Sequence, residues 1–218
     1  MIAALVFDFD GVIVDSEPLH LRAYQEVLEP LGRSLPREEY YARYLGYDDA
    51  GVFRELAESR GWTIDEAQVR SLIAEKTRVF DAFLANGDHL YPGAAECVAR
   101  LAGGYPLGIA SGAQRHEIEA MLRGRGLNGH FRFIVASGDT PAGKPAPDPY
   151  RRAAELHGLP PDRCLAIEDS RWGIESAKAA GLWCIGITNT YPVAELLEAD
   201  AIITSLDELT PELIERIA

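Results

Sequence analysis

Two carboxylates, Asp8 and Asp10, stand at alternate positions where an apolar run ends, and Gly11 follows at once. Like charges so close raise each other's affinity for protons unless a cation neutralises them, so the pair points to a divalent metal or to proton-transfer work. A turn is the plain alternative, because Asp and Gly are common turn residues. A second pair, Glu168 and Asp169, closes another apolar run, and adjacent carboxylates there suit a hard cation. Capping of the next helix by Asp169 or Ser170 is also open and does not exclude the metal. Lys144 lies in the stretch Gly143-Lys144-Pro145-Ala146-Pro147-Asp148, where a proline-stiffened loop could aim one ammonium at accumulating negative charge, although a solvated surface lysine would read the same. Ser111 and Gly112 follow a third apolar run and offer a hydroxyl and an uncrowded N–H to an anion at a helix start, or a simple helix cap.

Positioning these groups requires several strands that end together. Ile2 to Phe9 is continuously apolar and rich in strand formers, as expected of a strand buried on both faces of a parallel sheet. Tyr105–Ala110, Phe131–Ala136, Cys164–Ile167, Trp183–Ile187 and Ala201–Ile203 continue the series. Helical patterns at Ala94–Leu101, Arg115–Arg125, Pro149–His157 and Gly173–Ala180 alternate with them, so an α/β fold with a parallel sheet is expected. Nearly a hundred residues separate the first two strands, far more than one crossover needs. That interval carries helical spacing at Pro18–Leu31, Asp48–Arg60 and Asp65–Leu84, which predicts an all-helical insertion over residues 16–88 and an α/β core from 1–15 and 89–218.

The composition limits the partners. With 21 basic and 34 acidic side chains the formal net charge is −13, which disfavours nucleic acid and anionic membranes. It would also repel an anionic ligand at long range, so a site for one needs a local cation or oriented N–H donors. No apolar stretch approaches the roughly 18 residues of a membrane span. Cys97, Cys164 and Cys184 are far apart and form no CxxC pair. Buried thiols in a reducing compartment, and hence a cytoplasmic protein, are expected. No internal repeat is visible.

The run Phe7-Asp8-Phe9-Asp10-Gly11-Val12-Ile13-Val14-Asp15-Ser16-Glu17 closely resembles the first motif of the haloacid dehalogenase-like hydrolases. Ser111 resembles the second motif, Gly143 to Asp148 the third, and Ile167-Glu168-Asp169-Ser170 with Gly173 to Gly181 the fourth. The order is the family's, and the resemblance extends across essentially the whole chain. It implies a Rossmann-like three-layer parallel-sheet core, with the helical cap that one subfamily inserts after the first strand. It also implies that Asp8 attacks phosphorus, forming an aspartyl-phosphate, while Asp10 protonates the leaving oxygen and then activates water. Lys144 would neutralise the transferring group and bind phosphate with Ser111 and Gly112. Mg2+ would be held by Asp8, Asp169 and the backbone carbonyl of Asp10, with Glu168 bound through water or orienting a ligand.

Within the subfamily, Asp10 argues against dehalogenases, whose halide leaves without a proton, and against phosphonatases, which carry a small residue there. Glu17, His20 and Gly46 look like the β-phosphoglucomutase branch. Those mutases hold a second phosphate with an Arg three residues after the equivalent of Gly46, and here that position is Asp49. A Mg2+-dependent phosphatase acting on a small phosphorylated metabolite of the sugar phosphate, polyol phosphate or phosphoglycolate type is therefore expected. A phosphosugar mutase is the alternative, and a catalytically silent binding protein the more distant one. Lys76, His20, Arg43 and Arg115 are candidates for reading the substrate, and a monomer or weak dimer is expected.

Overall fold

The computed structural model describes residues 1–45, 47–84 and 89–217. The chain folds as two compact units, Met1–Asp15 with Asp88–Ala218, and Ser16–Gly87.

The larger unit is built on six parallel strands, β1 (Ala4–Phe7), β2 (Leu107–Ala110), β3 (Phe131–Val135), β4 (Cys164–Glu168), β5 (Trp183–Ile187) and β6 (Ala201–Ile203), in the order β3-β2-β1-β4-β5-β6. Every residue of β1, and all of β2 and β4, is buried, which is why these segments read as unbroken apolar runs. Alternate residues face different layers. Ala4 and Val6 of β1 and Cys164 and Ala166 of β4 share one core with Tyr150 and Ala153 from helix Asp148–His157 and with Ile174 and Ala177 from helix Arg171–Ala179. Order along the sheet reverses between β1 and β4, and crevices that bind ligands open at the carboxyl ends of strands beside such a reversal. The strands are shorter than the apolar runs predict. β1 stops at Phe7 because Asp8, although its N–H still bonds the Ile167 carbonyl at 2.9 Å, begins the turn through Gly11. Cys97, Cys164 and Cys184 are free and buried. Among the described residues no helix is long and apolar enough to cross a membrane.

The smaller unit holds helices α1 (Glu17–Leu28), α2 (Arg37–Arg43), α3 (Asp49–Ser59) and α4 (Glu66–Leu84). The predicted first helix ends three residues early, in a 3-10 turn over Glu29–Leu31 that closes at Gly32 in the left-handed region. α2 escapes the periodicity because only Tyr40 of its seven residues is buried. A polar network sits inside this helical unit. Lys76 of α4 is only 3% exposed, and its Nζ donates to Asp49 Oδ1 and to His20 Nδ1, each at 2.8 Å. Tyr24 donates to the same Asp49 oxygen at 2.6 Å, and the His20 ring stacks on Phe80 at 4.2 Å. Accepting from an ammonium requires His20 to be neutral with its proton on Nε2. Burial, reinforced by Lys76 and opposed by Asp49, lowers the His20 pKa to about 3.

The unfolded chain takes up this proton below about 6.5 and the folded chain only near 3, so the stability is present above 6.5 and lost as pH falls through that window. Between pH 7.5 and pH 5 the wild type should lose about 2 kcal/mol more than His20→Gln, which can still accept from Lys76 but cannot titrate. Urea unfolding of both proteins at the two pH values measures this; equal losses would show that His20 does not carry the dependence.

Candidate active site

Four strand ends bring the chemistry together. Asp8 follows β1, Ser111 follows β2, and Glu168 closes β4 with Asp169 next; Lys144 comes from the loop after β3, whose Lys144–Pro145 peptide bond is cis. Because β1 and β4 are paired, with Phe7 opposite Ile167, Asp8 and Glu168 leave the sheet side by side. Lys144 Nζ lies 2.8 Å from Asp8 Oδ1 and 2.5 Å from Glu168 Oε1. The contact to Asp8 is an ion pair without good hydrogen-bond direction, leaving Oδ1 enclosed and free of a normal hydrogen-bond donor. Tyr150 donates to Glu168 Oε1 at 2.7 Å from a fully buried position.

Glu168 is consequently well occupied. Its second oxygen accepts from the N–H of Asp169 at 3.2 Å and from the Ser170 hydroxyl at 3.3 Å. Ser170 also accepts from Gly173 at 3.1 Å, capping the helix Arg171–Ala179 and leaving Asp169 free of that duty. Gly173 is glycine for space, since a Cβ there would lie 1.9 Å from the Glu168 carboxyl carbon. Gly11, at φ +77, is constrained in the same way, because its Cβ would meet Asp169 Oδ2 at 1.9 Å and Thr190 Oγ1 at 2.7 Å.

Carboxylate oxygens of Asp8, Glu168 and Asp169 converge within 4.8 Å of one another. Three carboxylates against one ammonium leave a buried negative excess, and the energetics show it. Burial, then Glu168 and Asp10, push the Asp8 pKa up to about 7 although Lys144 pulls it down. Burial followed by Asp8 and Glu168 raises Asp169 well above the usual carboxylate range, against the Thr190 hydroxyl and Lys144. Burial works against the charge of Lys144, but Asp8 and Glu168 outweigh it and hold its pKa above the ordinary value. A hard divalent cation would remove the excess, and this donor set fits one: Asp8 Oδ1 meets the Lys144 ammonium without good hydrogen-bond direction, and Asp169 has no capping role.

The remaining candidates are placed as follows. Ser111 is 5% exposed and donates to Asp10 Oδ2 at a long 3.5 Å, while its oxygen accepts from Ala113 N–H at 3.1 Å. It is not the cap of the following helix Arg115–Gly124, a position taken by Gln114. Gly112 is exposed, with open space where a side chain would be. The Arg115 guanidinium is engaged by Asp139 at 2.6 Å and by the Ile134 carbonyl at 2.9 Å, so it braces the loops after β2 and β3. Glu17, His20 and Lys76 belong to the helical unit, where Glu17 accepts from Tyr40 at 2.7 Å. Arg43, in the same unit, contacts Glu55 at 3.3 Å. Gly46 lies outside the described residues. Sequence reasoning overlooked Tyr150 and the pair Asn189 and Thr190. The last two directly follow the β5 loop residue Thr188, and the rule that singled out Asp8 and Ser111, polar residues just past an apolar run, would have reached them.

The chain matches the family described as haloacid dehalogenase-like hydrolase over residues 2–181. Protein CbbY of Cereibacter sphaeroides is 35% identical over 224 residues, covering 96% of this chain and 94% of that protein. Fructose-1-phosphate phosphatase YqaB of Escherichia coli strain K12 is 30% identical over 194 residues, 85% of this chain and 96% of the enzyme. The crystal structure of CbbY from Rhodobacter sphaeroides in complex with phosphate superposes with a TM-score of 0.84 at 31% identity, covering 96% of each chain. The chain belongs to the haloacid dehalogenase-like hydrolases. It falls among the phosphoric monoester hydrolases of that family.

Gly173→Ala should unseat Glu168, the second counter-ion of Lys144, and cost about 1–3 kcal/mol of stability together with most of the turnover. Gly124→Ala, where the added methyl meets open space, should leave both near wild type. Thermal unfolding and a phosphatase assay compare the two; a Gly173→Ala protein as stable and active as Gly124→Ala would contradict the packing account.

Proposed function

We propose that the protein is a Mg2+-dependent phosphatase that hydrolyses a small phosphorylated metabolite through an aspartyl-phosphate on Asp8. The ion pair between Lys144 and Asp8, inside a cluster of converging carboxylates, is the observation that carries this reading. Asp8, Asp169 and the Asp10 carbonyl would hold Mg2+, whose charge offsets the carboxylate excess and polarises phosphoryl oxygens. Lys144 favours the ionised, nucleophilic form of Asp8 against its burial, and a bound cation would complete the neutralisation. The Asp8 oxygen bonds to phosphorus as the substrate's P–O bond breaks, and Asp10 gives its proton to the departing alkoxide. Asp10, now a carboxylate, takes a proton from water as the water oxygen attacks phosphorus. Inorganic phosphate leaves and the Asp8 carboxylate is restored. Ser111, whose hydroxyl also reaches Asp10, and the open N–H of Gly112 would bind phosphoryl oxygens.

The substrate class rests on two supports. The relatives named above include a sugar-phosphate phosphatase. Within the helical unit, the position from which mutases present an Arg carries Asp49, and its carboxylate is taken by Lys76 and Tyr24. An anionic side chain there supplies no positive charge for the second phosphate of a bisphosphate intermediate, which favours hydrolysis over phosphosugar mutation.

Phosphate release from sugar phosphates, polyol phosphates and phosphoglycolate should require Mg2+, disappear with EDTA, and fall by more than about 10³-fold in Asp8→Asn. A coupled assay with β-glucose 1-phosphate separates the alternatives. Glucose 6-phosphate accumulating with little free phosphate would establish a mutase, and no turnover with bound Mg2+ would favour a binding protein.

A further inference from the structure

The loop after β5 reaches the nucleophile turn from the far end of the sequence. Asn189 Nδ2 donates to the Gly11 carbonyl at 2.8 Å across 178 positions, and Gly11 N–H bonds the Val14 carbonyl at 2.8 Å. Both backbone polar groups of Gly11 are therefore fixed, one by its own turn and one by the β5 loop. The loop is itself tied to β6 through the Thr188 N–H and the Ile203 carbonyl at 3.1 Å. Thr190, next in sequence, brings its hydroxyl to the point where the Gly11 α-carbon and Asp169 Oδ2 meet. That hydroxyl acts on the Asp169 carboxylate and on the Tyr91 hydroxyl, and it is enclosed without a partner in good hydrogen-bond geometry. Buried hydroxyls ordinarily find partners, and a small rotation of the Asp169 carboxylate would give this one a charged acceptor.

We propose that Thr190 is a positioning residue that aims Asp169 at the divalent cation by donating its hydroxyl proton to the carboxylate oxygen that does not ligate the metal. The inference rests on the reading of Asp169 as a Mg2+ ligand. The chemistry favours Thr. A ligating carboxylate needs only one oxygen for the ion, and a donor on the other oxygen fixes its rotation and its direction. β-Branching restricts the Thr190 side chain, and the Asn189 anchor fixes the backbone that carries it. Neither neighbour of Asp169 can do this work: Glu168 is occupied by Lys144 and Tyr150, and Ser170 by the helix cap and Glu168.

The test is titration calorimetry of Mg2+ into the full-length, substrate-free protein, comparing wild type with Thr190→Val and Thr190→Ser, alongside thermal unfolding without metal. Thr190→Val keeps the shape and removes the donor. It should weaken Mg2+ about 10- to 100-fold, with the Mg2+ concentration for half-maximal turnover rising in parallel. Thr190→Ser restores the donor and should recover most of the affinity. The proposal fails if Thr190→Val binds Mg2+ as tightly as wild type, if Thr190→Ser is as weak as Thr190→Val, or if the metal-free Thr190→Val protein is already substantially destabilised, since the last two results assign the residue to packing. A wild type that binds no Mg2+ overturns the metal assignment itself and the role of Thr190 with it.

Discussion

The site depends on one ammonium held between two carboxylates. Lys144, little exposed, faces Asp8 and Glu168 together, and Glu168 is completely buried. Breaking a buried ion pair by deleting one partner leaves an uncompensated charge and costs about 3–5 kcal/mol, so neither carboxylate can be dispensed with while Lys144 stays. Several otherwise unrelated features serve this contact. Tyr150 donates to Glu168, Ser170 shares the second Glu168 oxygen with the start of a helix, and Gly173 leaves room for the carboxylate. Glu168 is therefore first the counter-ion of Lys144, which leaves Asp8 and Asp169 as the carboxylates of the cluster best able to meet a cation.

Topology makes the convergence possible. Asp8 follows β1 and the pair Glu168 and Asp169 stands at the end of β4, neighbours in the sheet although more than 150 residues apart in sequence. Each crossover returns the chain to the same edge of the sheet, so β2 adds Ser111, the loop after β3 adds Lys144, and the loop after β5 adds Asn189 and Thr190. The acidic chain thereby concentrates a local cation and a carboxylate cluster at one place, which reconciles a net charge of −13 with an anionic substrate. The helical unit contributes a different constraint. Its buried Lys76 is neutralised within the unit by Asp49.

The sheet was legible in the sequence because β1, β2 and β4 are buried on both faces, so burial alone writes them as apolar runs. The core motifs were legible because their residue types are costly at strand ends without a purpose. Less could be read where position is decided by distant partners. α2 is a short helix with a single buried residue, Tyr40, whose hydroxyl finds Glu17 from 23 residues away. Arg115 reads as a free cation in sequence and is a brace between loops in three dimensions. Tyr150 is an apolar-face residue by periodicity, and only folding brings its hydroxyl to Glu168.

Trapping the covalent intermediate tests the central claim most directly. Asp10→Asn protein mixed with Mg2+ and acetyl phosphate, whose acetate leaves without needing a proton, should load the nucleophile and then stall, because no carboxylate remains to activate water. Acid quenching and peptide mapping by mass spectrometry are predicted to find the phosphoryl group on Asp8, and to find none when Asp8→Asn is added. A phosphoryl group on another side chain, or none on a protein that still turns over, would contradict the account.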